Sequence, residues 1–242
     1  MAIPAAQLVR EMFSGENRRP SVALLTSSIC LSVWYVFGNY QYWAAYLTDE
    51  TYAPSGATLS PAAAALLSTI LLLGIVPMAV VRFVLREPLT DYGIRWGNLR
   101  FALVCSFMAA PLLVLIGYST SLSPAFRAFY PVDPSALRSA STLATHLAEQ
   151  IAFYAAWEFH FRGFLQQSLK NTSGLATAIC VQTLVSTLAH FGKPAPEVFG
   201  AIIGGLLWGT LAWRTRSLLA GIFQHWLLGA SLDYFIFRST AG

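Results

Sequence analysis

The sequence predicts an all-α fold: a polytopic transmembrane helical bundle of about seven spans, with six to eight as the range, forming a single integral membrane domain over residues 1–242. Three observations predict it. Apolar residues make up 56% of the chain and charged residues only 11%, whereas about a quarter of a soluble domain is charged. About seven apolar stretches approach the roughly 20 residues that carry a helix across the hydrocarbon core. Basic residues then concentrate in alternate loops, as in a chain threaded back and forth through a bilayer.

The stretches fall at roughly 22–47, 60–85, 101–122, 141–169, 174–191, 197–213 and 217–237. Residues 1–20 carry Arg10, Glu11, Glu16, Arg18 and Arg19 and no long apolar run. That is not a cleavable signal peptide, so the first span reads as an uncleaved anchor. The first, second and fourth stretches exceed the length needed and can tilt or extend past the lipid. The sixth is short, which opens the range in the count. The segment "REPLTDYGIRWGN" (86–98) mixes charges, Gly and Trp and is expected at the interface. "GAIIG" (200–204) and "GLLWG" (205–209) are small-xxx-small patterns that let one helix approach another.

Arg10, Arg18 and Arg19 precede the first span; Arg82, Arg86, Arg95 and Arg100 surround the loop after the second; Arg214 and Arg216 follow the sixth. Positive-inside counting places the N-terminus in the cytoplasm and the C-terminus outside. The net charge of +4 therefore reads as topology, and nucleic acid is not an expected partner; the lipid bilayer is. Cys30, Cys105 and Cys180 lie in apolar stretches without a CxxC pair, as inert thiols do.

An ionisable side chain at bilayer depth costs roughly 2.5–3.5 kcal/mol on insertion scales, so those inside the spans are candidates for function. On the fourth span Glu158 and Arg162 are spaced i, i+4 and share a helix face. They read equally as a chemical group with its orienting partner and as a structural ion pair. His160 points about 200° away from Glu158 on the helix and, like His146, reads as a packed or interfacial histidine. His190 ends the fifth span before Gly192, Pro194 and Pro196 break the helix. With Lys193 and Glu197 close by in sequence, that end is a candidate polar pocket. The last span carries His225 and, eight residues on, Asp233, about 12 Å along the axis. The two can face one cavity without sharing a ligand.

A glutamate with two histidines can activate a water and stabilise the oxyanion that follows. The same three groups, Glu158, His190 and His225, are a His2Glu set of the kind that holds zinc, although no HExxH motif is present. Neither a GxSxG motif nor a GxGD-like aspartate pair stands out.

The order of these residues resembles the CAAX prenyl endopeptidase and bacteriocin-processing (CPBP) family of intramembrane proteases. Its first motif is EExxxR; "WEFHFRGFL" supplies Glu158, Arg162 and the following Gly163 to Leu165. Its second is FxxxH; "STLAH" supplies His190, with Ser186 where Phe is usual. Its third is HxxxN or HxxxD; "HWLLG" supplies His225, with Gly229 in the last place. The resemblance spans residues 141–237, and Trp157 stands where the family carries its first glutamate.

The resemblance implies an intramembrane endopeptidase in a bacterial plasma membrane. Glu158 with His190 would polarise a water, His225 would stabilise the oxyanion and Arg162 would hold Glu158; Glu197 and Asp233 are secondary candidates. The substrate would be a membrane-associated protein or peptide, cut at a CAAX-like C-terminus, a sorting signal or a leader. The family includes proposed metal-dependent and metal-free chemistry, so zinc stays open. Two alternatives stand beside this reading: a non-catalytic member acting in bacteriocin immunity or as a membrane scaffold, and a transporter.

Overall fold

The computed structural model describes residues 4–48 and 59–240, with only the backbone of Thr48, and its regular elements there are all helical. Two short helices, α1 (Ala5–Met12) and α3 (Tyr40–Thr48), flank the first long one, α2 (Gly15–Gly38). Then follow α4 (Pro61–Leu85), α5 (Leu99–Ser121), a short α6 (Pro124–Phe129), α7 (140–173), α8 (Leu175–Leu188), α9 (Ala195–Thr215) and α10 (Leu219–Thr240). Helices α2, α4, α5 and α9 are long and apolar enough by themselves to cross a membrane. Helices α7 and α10 are as long but bury Glu158, His160 and Arg162 on the one and Asp233 on the other.

Seven long or apolar helices thus occupy the predicted stretches, with one correction. The first stretch was expected to run unbroken over 22–47, but it ends at Gly38. Asn39 is extended, and its Oδ1 accepts from the Tyr42 N–H at 2.8 Å. A side chain that caps a new helix start in this way stops the old one. The sixth stretch is longer than expected, at Ala195–Thr215, and the fifth is shorter, at Leu175–Leu188. Residues 86–98 do not span: they form a 3₁₀ turn and a loop tied to the α9–α10 turn, Asn98 N–H donating to Thr215 O at 2.8 Å.

Packing follows from what each face carries. Helix α9 lies against α8 through the small residues of its two motifs. Gln182 Nε2 donates to Gly205 O at 2.8 Å, and Gln166 Nε2 of α7 donates to Gly209 O at 2.9 Å. Backbone carbonyls are reachable there because no side chain intervenes. Helix α7 runs through the middle of the bundle, and every residue from Ala156 to Leu169 is buried. A π-helical stretch, Phe159–Leu165, interrupts its α-helix, as Trp34–Gly38 does at the end of α2 and Ile70–Ile75 and Val80–Leu85 do in α4.

The fifteen lysines and arginines divide unevenly. Ten lie at the end holding α1: residues 10, 18, 19, 82, 86, 95, 100, 170, 214 and 216. Four lie at the opposite end, at 127, 138, 193 and 238, and Arg162 is buried between.

Candidate active site

The site is assembled by α7, α10 and the turn after α8. Glu158 is 1% exposed on α7. Its Oε1 accepts from His225 Nδ1 at 2.9 Å and lies 3.4 Å from Arg162 Nη1. The predicted i, i+4 pair therefore forms, and a histidine from another helix completes it. The close approach needs Gly221 on α10, because a Cβ there would sit 2.9 Å from Glu158 Oε2. Arg162 also lies over the Trp208 ring at 5.7 Å and the Phe161 ring at 5.8 Å, where the electron-rich faces offset part of its burial.

The hydrogen bonds fix ring orientations. A carboxylate only accepts, so His225 donates from Nδ1 and leaves Nε2 as its free nitrogen. Its ring is sandwiched between Trp208 (4.2 Å) and Tyr154 (4.3 Å). His190 lies in the turn after α8, and its Nδ1 approaches Ser186 O at 2.6 Å. A carbonyl also only accepts, so His190 donates from Nδ1 and its Nε2 carries the lone pair.

His190 and His225 line one cavity of about 210 Å³. Lys193, Glu197, Glu149 and Tyr154 line it too, as do residues 38–41 at the α2–α3 break. The expected polar pocket around His190, Lys193 and Glu197 is therefore present. Glu158 does not line the cavity; it sits behind His225. At the mouth, Glu197 accepts from Tyr130 Oη at 2.7 Å and from Lys193 Nζ at 2.8 Å. Burial, then the neighbouring Glu197 carboxylate, pushes the Tyr130 hydroxyl well above the ordinary tyrosine range, as desolvation of a would-be anion does.

Asp233 is not brought to His225. It pairs with His146 Nε2 at 3.0 Å and accepts from Gln150 Nε2 at 2.6 Å, farther along the same two helices. His160 is fully buried against Phe161 and Phe164, as a packed histidine.

Two of the three departures from the motifs, at Trp157 and Gly229, have clear physical occupants. Trp157, 2% exposed, packs on Trp34 at 5.6 Å, Phe153 at 5.9 Å and Phe161 at 4.8 Å, with the His190 ring edge-on at 5.3 Å. The place of the family's first glutamate is thus a wall of rings. At Gly229 a Cβ would fall on the Tyr154 hydroxyl. Tyr154 therefore presents an O–H where the family's third motif would carry an amide or carboxylate. Sequence reading missed Tyr154, although it lies four residues before Glu158 and so on the same helix face.

A zinc ion needs three protein donors aimed at one point. Glu158 turns its Oε1 to His225 Nδ1 and Arg162 and does not line the cavity that the two histidines share. Among the described residues no three His, Cys, Asp or Glu side chains converge as a metal site. The set Glu158, His190 and His225 does not fit a metal in this arrangement.

Residues 141–231 match the family model described as Rce1-like, type II CAAX prenyl endopeptidase Rce1-like. Neither the curated proteins nor the solved structures returned a match.

Proposed function

We propose that this chain, whose residues 141–231 carry the type II CAAX prenyl endopeptidase signature, is an intramembrane endopeptidase acting on a membrane-associated protein or peptide. One observation carries the reading: a single cavity is lined by His190, His225 and Tyr154, and Glu158 is hydrogen-bonded behind His225. A water between the two imidazoles would meet an acceptor on each side. His225 Nε2 takes a proton as the water oxygen attacks the scissile carbonyl. Glu158, on Nδ1, holds the tautomer and stabilises the imidazolium. The Tyr154 hydroxyl donates to the oxyanion, and the imidazolium then returns the proton to the leaving amine. Arg162 keeps Glu158 in place. This assignment gives Glu158 an indirect part, acting through His225.

The basic end of the bundle is the cytoplasmic end by the positive-inside rule, so the cavity opens to the opposite face. Its charged lining comprises Asp133, Glu149 and Glu197 against Lys193, which favours a basic segment over a free carboxylate. A leader or sorting signal of an exported protein fits both features better than a cytoplasmic CAAX tail.

The test replaces Glu158, His190 and His225 singly by Ala in cells lacking the native gene. The new termini of membrane proteins are then compared by mass spectrometry. Each variant is expected to lose the cleavages that wild type restores. If gene loss abolishes a cleavage that all three variants retain, this site is not where proteolysis occurs. The packed rings at Trp157 favour the alternative of a non-catalytic scaffold, for which wild type restores no cleavage at all.

A further inference from the structure

A second, polar pocket of about 310 Å³ lies at the basic end of the bundle, far from the histidines. Arg19 at the start of α2, Arg95 on the 86–98 loop, Lys170 near the end of α7 and Arg216 after α9 converge on it, with Asp91 as the one acid in its lining. Glu87 neutralises Arg19 through a two-pronged contact. Lys170 is held by Gln167 Oε1 at 2.7 Å. Among the described residues Arg95 and Arg216 have no side-chain hydrogen bond or ion pair.

This differs from a diffuse fringe of topogenic charge in two ways. Its walls are fixed, because the 86–98 loop is bonded to the α9–α10 turn through Asn98 N–H to Thr215 O at 2.8 Å and Leu218 N–H to Gly93 O at 3.2 Å. Helix dipoles also fail to account for the set. They draw cations to the C-terminal ends of α7 and α9, near Lys170 and Arg216, but do not account for Arg95, which lies on the 86–98 loop. Arg216 closes α9 in the left-handed conformation, φ 53, as Arg86 closes α4 at φ 61, a common helix ending.

We infer that this pocket binds a phosphate group, with Arg95 and Arg216 as the free guanidiniums that grip it. Guanidinium forks match phosphate oxygens, and basic pockets between helices at the cytoplasmic surface take anionic lipid headgroups. A phosphate reaches such a pocket from a lipid headgroup or from a free phosphate in solution.

The experiment uses the full chain in nanodiscs of phosphatidylcholine doped with phosphatidylglycerol, with retained lipid counted by native mass spectrometry. The headgroup source predicts one phosphatidylglycerol retained by wild type, unaffected by inorganic phosphate. The free source predicts that millimolar inorganic phosphate displaces the lipid, or binds alone and raises the Tm. In either arm Arg95→Ala with Arg216→Ala should weaken binding roughly 30-fold, at about 1 kcal/mol per arginine. Arg82→Ala with Arg100→Ala removes equal charge from the same end outside the pocket and should leave binding within about 2-fold. Equal loss in both double variants, or no binding of either anion to wild type, overturns the inference. Unchanged Tm in the absence of anion shows that the variants fold.

Discussion

If the Tyr154 hydroxyl occupies the place that a side chain at Gly229 would take, the two positions must be energetically coupled. Gly229→Ala puts a Cβ on that hydroxyl and 3.1 and 3.3 Å from two ring carbons. Overpacking of this kind costs about 1–3 kcal/mol. Tyr154→Phe alone removes a hydroxyl that has no hydrogen-bond partner among the described residues, so it should cost under about 1 kcal/mol. In the Phe background only the ring carbons oppose the added methyl, and the cost of Gly229→Ala should fall by about 1–2 kcal/mol, within the range seen for residues in contact. Thermal unfolding in one detergent, followed by tryptophan fluorescence at a fixed scan rate, reads this as a relief of about 2–8 °C at about 2–4 °C per kcal/mol for a chain of this size. Cleavage supplies the second reading. Loss of one oxyanion donor lowers kcat by about 10²–10³, so Tyr154→Phe should fold normally and cleave poorly. Additive stability effects would show that the hydroxyl does not fill that space, and wild-type cleavage by Tyr154→Phe would remove it from the mechanism.

Three further outcomes are expected. Glu158→Gln leaves Arg162 charged and 2% exposed with its carboxylate gone, at a cost of about 3–5 kcal/mol; adding Arg162→Met should recover most of it, and a double variant no more stable than Glu158→Gln would show that the pair is not coupled. Trp157→Glu, which restores the family's first acid, trades four ring contacts for an unpaired buried carboxylate, so a loss of at least about 3 kcal/mol in unfolding free energy is expected; a stable, active variant would mean that the ring wall is dispensable. The Tyr92 hydroxyl, buried and then hydrogen-bonded to Glu87, is pushed up to about 12. The folded state therefore holds its proton more tightly than the unfolded chain, whose tyrosines titrate near 10. Stability from this group is complete below pH 10 and is lost as pH rises toward 12; an ultraviolet titration of wild type against Tyr92→Phe that places this tyrosine near 10 would contradict the buried hydrogen bond.

Much of this was legible in the residues because bilayer physics is strict. Apolar length located the long helices, and "GKPAP" after His190 located the end of α8. The spacing of Glu158 and Arg162 predicted their pairing. What could not be read was which groups meet across helices. Asp233 and His225 share a helix, yet Asp233 turns to His146, a choice made by the packing of α7 on α10. Glu158 was expected to face the water and instead backs His225, because Gly221 admits its carboxylate from behind. Tyr154 was signalled only by its spacing to Glu158, because the place of its hydroxyl depends on an absence, the missing side chain at Gly229, seventy-five residues away. The break at Asn39 was legible in principle as a Gly-Asn pair with capping chemistry, but the unbroken apolar composition around it masked that signal.

The π-helical stretch Phe159–Leu165 has a consequence for reading related chains. Such a stretch accommodates an extra residue within a helix without adding a matching turn. A helical wheel drawn at constant angle through it loses phase for the residues that follow. A chain lacking one residue between 159 and 165 could revert to plain α-helix and keep both flanks of the bundle in register. The same holds for the π-helical stretches Ile70–Ile75 and Val80–Leu85 of α4, so these and Phe159–Leu165 are where a one-residue gap in an alignment should be expected and tolerated.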